Sequence, residues 1–289
     1  ASIYKNWKND PENLIEALEK TINNYPNSLH SKQAKKEKEA FQGWIINNAE
    51  TLRKRKMTIE SINNLDYLVK NFPKHELASK AQYIVGDIYM NDLRDFEKAL
   101  KWYRLAGKKG LAEAQCNLGL MYAEGQGVNQ NYEEAIKWYR LAAEQGYALA
   151  QTNIGLMYEV GEGVNQNYEE AIKWYHLAAE QGFSGAQSKL GLMYENGKGV
   201  MQNYEKAVKL YRQSAEQGNL LGQKYLGVMH VLGQGVKKDY NIAYMWFFLS
   251  GSKGNKDALK SIQKIETEMT SEQIKTAQEM ARNWKPTKK

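Results

Sequence analysis

Four glycine-rich segments are the first feature of the sequence with residue types suited to chemistry. Each reads G-x-G-V, at residues 125–128, 161–164, 197–200 and 233–236. Such loops cradle phosphate groups when they join a strand to a helix in a βαβ unit. No strand pattern precedes these segments, and their recurrence every 36 residues is typical of a structural turn. We therefore predict no phosphate site and no cofactor.

Cysteine, histidine and paired carboxylates are too dispersed to indicate a catalytic or metal site. The single cysteine, Cys116, excludes an internal disulfide and is expected to be a buried or groove-lining thiol rather than a nucleophile. Glu133-Glu134 and Glu169-Glu170 recur in the first turn of a predicted helix, where negative charge suits the helix dipole. No metal site and no catalytic residue are predicted, since no H-x-x-x-H spacing joins the histidines His30, His75, His176 and His230.

The charge of the chain is uneven. The net charge is +7, yet residues 1–56 carry +4, residues 281–289 carry +4 and residues 112–251 carry −3. A nucleic-acid-binding protein concentrates positive charge on its recognition surface, so no nucleic-acid partner is predicted. The one dense basic run, 53–56, is interpreted as a solvated helix–helix connection. Contact with nucleic acid or an anionic membrane through this run and the C-terminal lysines is the alternative.

The apolar runs are too short to span a bilayer, which takes about 18 apolar residues. The polar start ASIYKNWKND lacks Met and has no signal-peptide pattern. This start is compatible with a mature exported protein. A periplasmic or secreted location is predicted, with the cytoplasm as the alternative.

A 36-residue repeat organises the middle of the chain. Residues 112–147 and 148–183 are identical at 28 of 36 positions, and the period continues through 184–219 into a fifth copy. A first copy, starting at Ala81, is three residues shorter in its loop. Apolar residues at three- and four-residue spacing predict two helices in each copy. Because one pair cannot bury its apolar face, we expect an all-α, right-handed α-solenoid of stacked pairs.

The copies resemble the Sel1-like repeat, a relative of the tetratricopeptide repeat. The resemblance rests on the pattern A-x-A-Q-x-x-L-G-x-M-Y-x-x-G-x-G-V…Y-x-x-A-x-x-W-Y-x-x-A-A-x-x-G and covers roughly residues 78–253, about five copies. The fifth copy departs from it, with His230 in place of a tyrosine and AYMWFFLSGSKGN as its second helix. The resemblance implies a bacterial protein with a non-enzymatic, protein-binding role.

Three segments are predicted along the chain. Residues 1–76 are interpreted as degenerate tetratricopeptide-like hairpins, 77–253 as the repeat array and 254–289 as C-terminal capping helices. Because proline disfavours helix in the residue before it, helices are expected to end near Tyr25-Pro26 and Phe72-Pro73. Thr270 or Ser271 is the expected N-cap of the last helix.

The predicted site is a partner-binding groove. By resemblance to tetratricopeptide arrays, the first helix of each pair lines the concave surface. In the second copy the five such positions are Glu113, Cys116, Leu120, Ala123 and Glu124. All except Leu120 are among the eight positions that differ from the third copy, where chance would place about one. We interpret this as diversification for a partner; drift of exposed positions is the alternative. The groove comprises Tyr83, Asp87, Met90, Glu113, Cys116, Leu120, Glu124, Leu149, Thr152, Leu156, Glu159, Val160, Ser188, Leu192, Glu195, Asn196, Leu221, Lys224, Val228, Val231 and Leu232.

The groove composition suits a protein surface or an amphipathic helix. The predicted function is a protein–protein interaction scaffold, monomeric alone. The resemblance implies more specific roles: an immunity protein that blocks a secreted bacterial effector such as a phospholipase, or an envelope-assembly or host-interaction adaptor. A β-lactam hydrolase is a disfavoured alternative, because the related cysteine-rich proteins have a disulfide in each repeat, whereas this chain has Cys116 alone.

Overall fold

The structure, a computed structural model, describes residues 11–287. This range contains fifteen helices and no strand. The predicted all-α class and its helix-pair repeats are therefore confirmed. The chain divides into two compact units, one up to Gln130 and one from Asn131. The three-segment division stays a prediction, and Lys288 and Lys289 of the predicted basic C-terminus lie outside the described residues.

The first unit contains the helices α1 (Pro11–Asn24), α2 (Leu29–Lys54), α3 (Thr58–Asn71), α4 (Glu76–Asn91), α5 (Phe96–Lys108) and α6 (Ala112–Glu124). Helices α1 and α3 end immediately before the two aromatic-proline pairs, as the sequence predicts. Their apolar faces meet α2 and α4 in one buried cluster that includes Phe41, Leu65, Leu68, Val85 and Ile88.

The second unit contains α7 (Tyr132–Glu144), α8 (Ala148–Val160), α9 (Tyr168–Glu180), α10 (Ser184–Asn196), α11 (Tyr204–Glu216), α12 (Leu220–Leu232), α13 (Tyr240–Gly251), α14 (Lys256–Glu266) and α15 (Ser271–Asn283). The pairs α8–α9, α10–α11 and α12–α13 pack against each other and are the third, fourth and fifth copies. We call α4, α6, α8, α10 and α12 the first helices, and α5, α7, α9, α11 and α13 the second helices.

Each second helix begins at a side chain that accepts a bond from the first turn. The Oδ1 atom of Asn167 accepts from the N–H of Glu170 at 3.1 Å, and Asp239 caps α13 in the same way. Such a cap satisfies a backbone donor that has no partner inside the helix and contributes about 1 kcal/mol. The recurring N-Y motif of the repeat is therefore a helix start.

The G-x-G-V segments are turns with two steric requirements. Gly161 and Gly163 both have positive φ, at 86° and 71°. A Cβ atom added to Gly163 would lie 2.7 Å from the backbone of Tyr132, the first residue of the preceding second helix. Each loop thus closes its own first helix and rests on the copy before it. This explains the repeated glycines without a phosphate ligand.

A second close approach joins the two helices of a pair. A Cβ atom on Gly155 of α8 would lie 2.6 Å from the ring of Tyr175 on α9, and Gly191 has the same relation to Tyr211. The glycine of the repeated L-G-x-M-Y motif therefore allows a tyrosine ring of the second helix to approach the backbone of the first helix closely.

Buried glutamines connect successive copies. Gln151 donates to the carbonyl oxygen of Ala143 at 3.2 Å and accepts from the side chain of Gln181 at 2.8 Å. Gln187 makes the equivalent pair of bonds, accepting from Gln217 at 2.9 Å. The fifth copy lacks the bond between two glutamines. Residue 253, at the position of Gln217, is lysine, and the buried Oε1 atom of Gln223 has no partner.

The last two helices pack on α13. Thr270 is the N-cap of α15 and forms a capping box with Gln273, which confirms one of the two predicted caps. The ring of Trp284 lies edge-on to that of Trp246, with 5.7 Å between centroids. Within the described residues, the helices all lack the length and apolar character that crossing a bilayer would take.

Candidate partner-binding face

Two of the three first helices of the second unit, α8 and α12, carry exposed aliphatic side chains. Five of them, which we call the aliphatic set, have exposed fractions of 37–56%. Exposed leucines are common on protein surfaces and also recur on the second helices, but there each helix carries one, at Leu105, Leu141 and Leu177, whereas α8 carries three aliphatic residues and α12 two. They are Leu149, Leu156 and Val160 on α8, and Leu221 and Leu232 on α12.

The carboxylates on these helices have partners within the protein. Glu159 accepts from the Tyr175 hydroxyl at 2.6 Å and from Lys189 of α10 at 3.2 Å. Burial, together with this carboxylate, raises the pKa of Tyr175 well above its ordinary value, so the phenol stays protonated and donates. Glu195 and Tyr211 form the same pair. The change from Ala123 to Glu159 therefore has a structural role, which weakens the interpretation that it was selected for a partner.

Other predicted groove residues contribute to packing instead. Ser188 is 1% exposed, and its hydroxyl bonds that of Ser214 at 2.7 Å, so it is not available to a partner. Val228 and Val231 are half-buried against the cluster formed by α13, α14 and α15. Leu192 packs against the core around α11. Lys224 lies over the ring of Tyr225. The remaining predicted positions, Thr152 and Asn196, are half-buried and exposed, respectively.

In the first unit the predicted groove residues divide similarly. Cys116 is 2% exposed, which fits a buried thiol and removes it from the surface. Tyr83 and Asp87 line a cavity of about 810 Å³ beside the end of α2. Leu120 and Glu124 are exposed, whereas Met90 and Glu113 are half-buried.

The basic run 53–56 was predicted as a solvated connection, but its first two residues lie in the last turn of α2 and only the next two lie in the connection. Its first member, Arg53, donates to both carboxylate oxygens of Asp92, at 2.6 and 2.8 Å, and to Asp87 at 3.0 Å. These bonds raise the pKa of Arg53 and engage its guanidinium group. The adjacent cavity has carboxylates as well as lysines in its lining, and this mixed charge does not resemble a phosphate-binding surface.

The side chains with nucleophilic or metal-binding chemistry are separated or engaged. No cluster of three His, Cys, Asp or Glu residues with metal-binding geometry occurs among residues 11–287. Within the same range, Ser250 and Ser261 each precede a lysine by three residues, the serine–lysine spacing of β-lactam-binding enzymes. The buried Ser250 hydroxyl donates to the Leu220 carbonyl oxygen at 2.7 Å, and that of Ser261 donates to the Asp257 carbonyl within its own helix. These serines therefore satisfy backbone acceptors.

His230 has an unusual environment for a titratable group. It is buried at the position where the other copies have tyrosine, and its Nδ1 atom lies 3.3 Å from the carbonyl oxygen of Lys237. Burial is the main cause that lowers the pKa of His230, and the positive charge of Arg212 acts in the same direction. Asp239 and the Lys237 carbonyl oppose the shift.

Comparison with protein families gives five matches to the Sel1 repeat, at residues 79–111, 112–147, 148–183, 184–219 and 221–255. Comparison with curated proteins gives no match.

Two solved structures support the same fold. A Sel1 repeat protein from Oxalobacter formigenes is 32% identical, with a TM-score of 0.68, over 85% of this chain and 99% of that protein. The protein c5321 of uropathogenic Escherichia coli, described as a protective antigen, is 36% identical over 77% of this chain, with a TM-score of 0.64. The chain spans about half (48%) of that structure's length.

Proposed function

Since this chain belongs to the Sel1 repeat family, we propose that it is a non-enzymatic scaffold that binds a protein partner through the first helices of its second unit. The observation that supports this proposal is the exposure of the aliphatic set on α8 and α12. Apolar side chains that stay exposed on equivalent helices lose contact with water when a partner covers them, and each fully covered leucine contributes up to about 2 kcal/mol.

The electrostatics of these helices support an apolar interface. The carboxylate of Glu159 already accepts hydrogen bonds from Tyr175 and Lys189. A partner that covers Glu159 therefore does not bury an unpaired charge. Burying a paired and hydrogen-bonded charge costs less than burying an isolated one. A partner segment with aliphatic side chains, such as one face of an amphipathic helix, fits this arrangement.

The test compares two variants with matched chemistry. Leu149→Glu/Leu156→Glu changes the aliphatic set, whereas Leu141→Glu/Leu177→Glu changes leucines of comparable exposure on second helices. Affinity capture from a native bacterial lysate, read by mass spectrometry, should give a stoichiometric partner that only the first variant loses. A partner that both variants retain, or that only the second variant loses, would refute binding through the first helices.

We propose two narrower roles, which family membership supports. In the first, the partner is a secreted bacterial effector that this chain neutralises one to one as an immunity protein, in the periplasm or outside the cell. Co-expression should then rescue cells from the toxicity of the captured partner, and the Leu149→Glu/Leu156→Glu variant should not.

The second role is that of a host-interaction or envelope-assembly adaptor. The similarity to c5321, a protective antigen of uropathogenic strains, favours exposure to a host. In that case the captured partner is an envelope or host protein, and co-expression has no protective effect.

A further inference from the structure

A crevice of about 500 Å³ lies between α9, α10 and α11, on the second-helix side of the fourth copy. Its apolar floor includes Leu190 and Leu210, and its polar lining includes His176, Tyr194, Lys206 and Lys209. This volume is in the range of small-molecule sites, roughly 300–1,000 Å³. The crevice is separate from the aliphatic set, because its lining contains none of those five residues.

The crevice exists where a side chain that bridges other copies is missing. Arg140 of α7 donates to the hydroxyl of Tyr158 at 3.4 Å, and Arg104 makes the same bond to Tyr122 at 2.7 Å in the first unit. At the equivalent position in α9 the residue is His176, which is shorter and lies 3.2 Å from Glu180 of its own helix. Replacing arginine by histidine therefore leaves space beside Tyr194.

A second difference makes the same place positively charged. Glu134 of the second copy and Glu170 of the third form ion pairs with the lysines three residues later, Lys137 and Lys173. In α11 the glutamate position is occupied by Lys206, so Lys209 has lost the carboxylate that its counterparts pair with.

The ammonium group of Lys206 lies 5.1 Å from the ring centroid of Tyr194. Neither Lys206 nor Lys209 forms an ion pair with a carboxylate of the described residues.

We infer that this crevice binds a small anionic ligand with an apolar body, of the class of an aromatic carboxylate. Lys206 and Lys209 are positioned for the anionic group, and Leu190 and Leu210 for the apolar body. Glu180 also lines the crevice, but its carboxylate faces His176 and two lysines outweigh it. The two differences act together, since His176 of the third copy provides the space and Lys206 of the fourth copy provides the charge.

The experiment titrates the full chain with benzoate as the probe, by ligand-observed NMR, and uses benzyl alcohol as a neutral analogue of similar size. Benzoate should bind more tightly than benzyl alcohol. Lys206→Glu introduces the glutamate of the second and third copies and should weaken benzoate binding roughly fivefold, the upper end of the effect of one ion pair near the surface. The double variant Lys206→Glu/His176→Arg fills the space as well and should abolish binding.

The matched control is Lys260→Glu, which makes the same charge change at an exposed lysine on α14. It should leave the affinity for benzoate unchanged. Equal weakening by Lys260→Glu and Lys206→Glu, equal binding of the neutral analogue, or no benzoate binding to the wild-type chain would each overturn the inference. Lys206→Glu and His176→Arg each introduce the residue that another copy already has at the equivalent position, Glu170 and Arg140, respectively. We therefore expect both variants to fold, so that a loss of binding is not explained by unfolding. Thermal denaturation of each variant checks this.

Discussion

The incomplete glutamine series in the fifth copy permits a prediction of increased stability. Gln151 and Gln187 each accept a bond from a glutamine 30 residues later, at 2.8 and 2.9 Å. Gln223 is fully buried and donates to the Ala215 carbonyl at 3.3 Å, but its Oε1 atom has no partner because residue 253 is lysine. The change Lys253→Gln should supply the missing donor.

The expected magnitude follows from the cost of an unsatisfied acceptor. A net hydrogen bond contributes about 0.5–1.5 kcal/mol, and pairing a group that is already desolvated adds to that gain. For a unit of this size, 1 kcal/mol corresponds to a rise in melting temperature of about 2–4 °C. The backbone around residue 253 resembles that around Gln217. The backbone N–H of Asn255 donates to the carbonyl oxygen of Ser250, just as the backbone N–H of Asn219 donates to that of Ser214.

Thermal and urea denaturation, followed by tryptophan fluorescence, measure the change. Lys253→Met is the control, since it removes the ammonium group without supplying an amide. The converse variant Gln217→Met, which leaves the Oε1 atom of Gln187 without a donor, should lose about 1–3 kcal/mol. Equal melting temperatures for Lys253→Gln and Lys253→Met would refute the reasoning.

Two further predictions concern packing and pH. Gly191→Ala should destabilise the chain by about 1–3 kcal/mol, because the new methyl group would lie 2.6 Å from the Tyr211 ring. Gly43→Ala lies in open space on α2 and should stabilise the chain by about 0.5–1 kcal/mol. Urea denaturation measures whether the free energy of unfolding falls for the first variant and rises for the second. His230 has a lowered pKa in the folded state, so the unfolded chain binds the additional proton and stability should fall as the pH drops below about 6.5. His230→Tyr introduces the residue of the other copies and should reduce the change in urea midpoint between pH 7.5 and 5.5. If the midpoint of this variant depends on pH as strongly as that of the wild-type chain, His230 is not the group responsible.

The sequence alone was sufficient for the helix pairs, because the repeat shows each element several times. One copy leaves the roles of its glycines and asparagines open, but recurrence every 36 residues identifies Gly163 as part of a turn and Asn167 as part of a helix start. The aromatic-proline pairs and the cap at Thr270 were predictable for the same local reasons.

The site was only partly predictable, because side-chain orientation on a helix depends on the neighbouring copy. Ser188 was assigned to the groove by its position, yet it is buried through a bond to Ser214. The sequence does contain a signal for this, since Ser214 replaces an alanine of the second and third copies. Likewise the sequence has histidine at residue 176 where the first, second and fourth copies have arginine, but the crevice also depends on Tyr194 and Lys206 of the following copy.

The contact between each G-x-G-V loop and the preceding copy has a consequence for how such a gene can change. Gly163, Gly199 and Gly235 each rest on the first residue of the second helix one copy earlier. Successive copies therefore contact each other through the same two features, the glycine loop of one copy and the start of the second helix of the copy before it. An unequal crossover between the nearly identical gene segments for residues 112–147 and 148–183 would place copies side by side that make this same contact. Gain or loss of a whole copy therefore requires no new kind of contact, and arrays of different length can keep the same fold.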